Sequence, residues 1–93
     1  MTNKDSLKYD DVKPYIEETY AKIVKNENIK YISYKRVVFA MNKEDYPIYE
    51  LYTGILSRYV SVYLQRKEES GELKLNVIRQ HRKIYEIVRR GEK

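Results

Sequence analysis

Val12, Ile16, Tyr20, Ile23 and Val24 recur at helical spacing, with Lys13, Glu17, Glu18, Lys22 and Lys25 between them. The pattern predicts an amphipathic helix over 11–26, opened by an acidic cap at Asp10-Asp11 with Pro14 in the first turn, and stopped by Asn26 and Asn28. Ile29 to Ile32 alternates over too few residues for a helix and reads as a short strand. Ser33 then caps a second helix over 34–42, with Tyr34, Val37, Val38 and Met41 on its apolar side. Residues 42–45 break it, and Pro47 opens a short helical stretch through Tyr52 that ends near Gly54. A longer helix is expected over 58–70, capped by Ser57. Its inward stripe is Val60, Tyr63, Leu64 and the stem of Lys67, and Gly71 sits at the left-handed exit.

After Gly71 the period changes from about 3.6 to 2. Leu73, Leu75 and Val77 alternate with Lys74, Asn76 and Ile78, and 84–88 forms a second β-rich run. The two runs predict a hairpin whose tip is Arg79-Gln80-His81-Arg82-Lys83. With no Gly or Asn in it, that tip is expected to be a loose loop of several residues. The predicted order is helix, short strand, helix, short helix, long helix, hairpin: one α+β domain over 11–90 behind a polar N-terminal arm at 1–10.

Charge adds a direction to this layout. Residues 1–50 carry nine Lys/Arg and nine Asp/Glu, whereas 51–93 carry ten against five, so the whole net +5 lies in the second half. A localised positive field is the footprint of a polyanionic partner. Eleven tyrosines against one Phe and no Trp suit both a thin core and an interface. Heavy Lys, Glu, Ile and Tyr usage without Cys has a hyperthermophile cast. The absence of Cys removes disulfides and thiolate chemistry and fits a cytoplasmic location. The sequence offers neither a membrane-spanning apolar run nor a signal peptide.

In the stretch from Ser57 to Leu73, a capped start is followed by Leu64 in mid-helix, the pair Glu68-Glu69, Gly71 and the apolar Leu73. Ile84-Tyr85-Glu86-Ile87 then places an aromatic within an apolar return strand. In this order the residues resemble the winged helix-turn-helix family, including its PadR- and MarR-like groups, over about residues 29–90. The chain departs from that pattern in the fourteen residues between Asn42 and Ser57, where a short turn is usual.

The resemblance implies a site-specific double-stranded DNA-binding homodimer. In size and composition the chain is most similar to small winged-helix centromere-binding proteins of archaeal plasmid partition systems. Those proteins coat DNA and connect through an adaptor protein to a motor ATPase. A transcription regulator, most often a repressor, is the alternative use, and a protein-docking winged helix is a third. Because no helix follows the hairpin before Lys93, the dimer contact is expected on helix 11–26 or on segment 46–52.

A helix in the major groove reads bases with its outward side chains. On helix 58–70 and its cap, the candidates are Ser57, Arg58, Tyr59, Ser61, Gln65 and Arg66. Arg58 suits guanine, Gln65 suits adenine, the serines suit phosphate or base, and Tyr59 suits sugar or a thymine methyl. Arg79, His81, Arg82 and Lys83 form the wing candidates, repelling one another unless an anion receives them. Arg89 and Arg90 are further phosphate candidates or a frayed tail. The same residues also make an ordinary solvated face, so both readings stand at this point.

No enzyme is expected. His81 is the only histidine and has no converging metal donors. The adjacent carboxylates Asp10-Asp11 and Glu68-Glu69 splay apart on a helix, and no Gly-rich phosphate loop exists. Neither a metal nor another cofactor is implied.

Overall fold

The computed structural model describes residues 8–44 and 53–89. The arm at 1–7, the helical stretch expected at 47–52 and Arg90 lie outside the described residues. Helix α1 (Tyr9–Lys25) leads into β1 (Tyr31–Ile32), then α2 (Tyr34–Asn42), α3 (Thr53–Glu69) and the hairpin β2 (Leu73–Arg79) and β3 (Arg82–Ile87). The three strands form one antiparallel sheet in the order β1-β3-β2. Among the described residues, three helices with a hairpin after them make the α+β layout of a winged helix that the sequence predicts.

Helix α1 starts two residues earlier than the acidic pair suggests. Lys8 is the residue before the helix, and its backbone N–H donates to the Asp11 carboxylate at 3.0 Å. Asp11 therefore acts from the first turn and is not the cap, and Pro14 falls in the second turn of the helix. Val12, Ile16, Tyr20 and Ile23 are buried as the periodicity requires, joined by Thr19. Helix α2 matches its predicted bounds. Ser33 stands at its cap position with an extended backbone, but its hydroxyl makes no capping bond.

The correction to α3 is larger, because this helix runs from Thr53. Ser57 lies inside it and caps nothing. Gly54, read as a stop, is helical, and Leu56, only 4% exposed, adds a further turn to the apolar stripe of Val60, Tyr63 and Leu64. At the exit, Gly71 adopts φ 90°. Its N–H bonds Glu68 O at 3.1 Å, and the Glu72 N–H bonds Lys67 O at 3.0 Å. This paired closure satisfies carbonyls left over at the helix end, and a left-handed backbone favours Gly there.

All three helices pack on one another, with α3 also against β2. Between them, Ile32, Val37, Met41, Val60, Leu64, Leu73 and Tyr85 close the core. Burying each large aliphatic side chain stabilises the fold by about 1.5–3 kcal/mol. Among the described residues, no helix is long and apolar enough to cross a membrane.

Candidate nucleic-acid interface

Helix α3 divides into three sides. Val60, Tyr63 and Leu64 face the core. Arg58, Ser61 and Gln65 are exposed, and none has a side-chain bond or ion pair among the described residues. Tyr59 and Arg66 are turned toward α1. The Tyr59 ring meets Tyr9 edge to face at 5.8 Å and 77°, and the Arg66 guanidinium lies 5.3 Å from the Tyr9 ring centre. These two residues are thus held on the flank facing α1, apart from the polar candidates with which the sequence grouped them. Ser57 is half-buried one turn before Ser61.

The hairpin departs from expectation in its turn and its register. The tip is a two-residue turn, not a loose loop. Gln80 and His81 both have positive φ, 50° and 67°, and Arg79 pairs directly with Arg82. Left-handed central residues match the twist of a hairpin, which is why so short a turn closes even without Gly or Asn. The register shifts between Leu75 and Val77, so Leu75 pairs with Tyr85 while Val77 pairs with Ile84. Asn76 is the extra residue of this bulge.

Residues paired across an antiparallel ladder share a face. Lys83 and Ile78 therefore lie on the face of Tyr85 and Leu75, directed to α3, which is here the inner face. Arg82, Arg79, Ile84 and Val77 lie on the opposite, outer face, together with Tyr31 and Glu86. The four basic wing candidates accordingly part into two sets.

Inner-face residues meet α3 across a hollow of about 190 Å³, lined by Ser61, Gln65, His81, Lys83, Tyr34 and Tyr85. Three sequence candidates from two separate elements thus converge with Lys83. Burial, with Glu68 adding to it, raises the pKa of Tyr85 above its ordinary value, so its phenol is neutral at working pH. Neither Tyr34 nor Tyr85 was expected in the site. Tyr34 looked like a core residue from its spacing, and the role of Tyr85 depends on the strand register.

Arg89 is engaged within the fold. Its guanidinium donates to three backbone carbonyls: Val24 O at 2.7 Å, Asn26 O at 3.1 Å and Ile29 O at 2.6 Å. It clamps the end of the hairpin to the connection between α1 and β1, an interaction between residues 60 or more positions apart that no local pattern announces.

On the far side of α3, Lys67 pairs with Glu72 at 3.2 Å and lies 5.4 Å from the ring centres of both Tyr20 and Tyr63. Burial pushes the Tyr20 hydroxyl up to about 12 and Tyr63 higher still, with nearby carboxylates adding to both. The Tyr63 hydroxyl is buried without a hydrogen-bond partner among the described residues. This tyrosine group is part of the structural frame behind α3.

Fold and site together define a winged helix with a polar helix face and a wing face bearing Lys83 and His81 on either side of a hollow. Comparison with protein-family models, curated proteins and solved structures finds no match to the chain.

Proposed function

We propose that the chain binds double-stranded DNA, with α3 in the major groove and the inner face of the wing along the adjacent phosphate ridge. The observation that carries this reading is the convergence of Ser61 and Gln65 with His81 and Lys83 around one concave surface. Arg58 extends that surface as an exposed cation without an ion pair among the described residues. Arg58 and Gln65 have the donor geometry for guanine and adenine edges, while Lys83 supplies a sequence-independent phosphate contact.

One such helix reads few base pairs, so the working form in this proposal is a homodimer on a two-fold site. Two uses follow from the same chemistry: coating of a partition site and its linkage through an adaptor to a motor ATPase, or repression at an operator. Footprinting on the DNA flanking its own gene, at rising protein and near-physiological salt, tests both. Protection that begins at one site and spreads identifies the coating use, whereas one saturable block identifies a regulator. No protection at micromolar protein on that DNA overturns the DNA reading.

A further inference from the structure

The outer face of the wing has a composition of its own. It borders a hollow of about 480 Å³, within the range of small-ligand and side-chain pockets, against the start of α2. Its apolar floor includes Tyr31, Val77 and Ile84, and Tyr31 and Val77 are 47% and 40% exposed. Three cations, Arg36, Arg79 and Arg82, stand around that floor, and among the described residues no carboxylate lines it. None of the three has an ion pair among the described residues. Glu86, the acidic residue of this face, shares a row with Tyr31 and Lys74, one row farther from the tip than Val77 and Ile84, and does not line the hollow. Arg79 and Arg82 sit directly opposite each other, an arrangement that is repulsive until an anion is placed between them.

We propose that this outer face docks an acidic peptide segment of a protein partner, with an aliphatic or aromatic side chain on the apolar floor and carboxylates on Arg36, Arg79 and Arg82. Charge complementarity selects the acidic segment. The floor selects a peptide over a nucleic-acid backbone, because a phosphodiester chain leaves Tyr31, Val77 and Ile84 without a partner. This face lies across the sheet from the hollow that meets α3, so the docked segment and a duplex occupy opposite sides of the same ribbon. The inference goes beyond the DNA reading, and its peptide titration needs no DNA, so either can fail alone.

The experiment is fluorescence anisotropy of a labelled ten-residue peptide of alternating Asp and Glu with Leu and Phe at its centre, titrated with the full chain at near-physiological salt. Saturable binding in the range of about 10–100 μM is expected. Arg36→Glu should weaken it at least about tenfold, while Kd for the duplex identified by footprinting changes less than about threefold. A peptide with Ser in place of Leu and Phe should bind at least about fivefold more weakly. No saturation by about 1 mM peptide overturns the proposal, as does equal binding of the Ser peptide. Loss of duplex affinity in Arg36→Glu with peptide binding intact also overturns it, and makes the face a phosphate site instead.

Discussion

The two faces of the hairpin are built from the same few residues of sequence yet differ in kind. On the inner face, Lys83 and His81 stand beside the polar groups of a helix, and the apolar Tyr85 is only 3% exposed beneath them. On the outer face, a pair of arginines flanks apolar side chains that stay open to solvent. A single bulged residue, Asn76, produces the division, because it moves Val77 and Arg79 to the side opposite that set by Leu73 and Leu75. A cluster of basic residues in sequence is therefore not one electrostatic site. Its strand register decides how many surfaces it serves.

The sharpest way to break this comparison is charge reversal on either side of the ribbon. Lys83→Glu should weaken duplex binding by about a hundredfold at low salt, whereas Arg82→Glu should cost less than about fivefold. In the milder pair, Lys83→Ala should lower the slope of log K against log salt by about one and Arg82→Ala should leave it unchanged. Equal losses from the two sites would show that DNA receives both faces of the tip.

Arg89→Ala tests the frame that holds both faces at once. Losing three charge-assisted bonds to backbone carbonyls should destabilise the fold by about 2–3 kcal/mol in urea denaturation, with both binding activities retained in the folded fraction. A stability change below about 0.5 kcal/mol would mean that water replaces the clamp.

The tyrosine group behind α3 supplies a perturbation distant from either wing face. The pKa values of Tyr20 and Tyr63 are raised on folding, so the stability they contribute is complete below pH 10, the ordinary tyrosine value, and is lost as pH climbs through about 12. Absorbance at 295 nm should show phenols ionising late, together with unfolding. Tyr63→Phe removes a buried hydroxyl that lacks a partner among the described residues, and should stabilise the fold by about 1 kcal/mol. A loss of stability instead would show that the hydroxyl is paired in solution.

The smallest expected effect is at the tip itself. Gln80 holds φ 50°, and Gln80→Asn puts a residue better suited to the left-handed region there. A gain of about 0.5 kcal/mol is expected in thermal unfolding, with the ratio of duplex to peptide affinity unchanged. A change in that ratio would mean that the turn sets the division between the faces.

Much of this frame was legible in the residues. The bounds of α2 follow from the spacing of Val37, Val38 and Met41, and the α3 exit follows from Gly71, because each rests on local geometry. The α3 start was not legible. Gly54 and Ser57 carry ordinary stop and cap signals, and only the packing of Leu56 against the core overrides them. Nor could alternation reveal the bulge, since Leu73, Leu75 and Val77 continue an unbroken period of two in the sequence. Ser61, Gln65, His81 and Lys83 were nominated from chemistry and spacing, and the fold brings them together. Arg36 carried no signal, because Val77, Arg79, Arg82 and Ile84, which share its hollow, come from strands more than forty residues away.

The closure at Gly71 has a mechanical side. Only Ser70, Gly71 and Glu72 separate α3 from β2, and they are fastened to the helix by hydrogen bonds from Ser70, Gly71 and Glu72 to Arg66, Glu68 and Lys67. Helix and ribbon are thus the two jaws of a caliper with a fixed gap. If the proposed DNA reading holds, such a tool would respond to the separation between one groove and the next as well as to base edges. It would favour sequences whose natural width already fits the gap over those that have to be deformed to enter it.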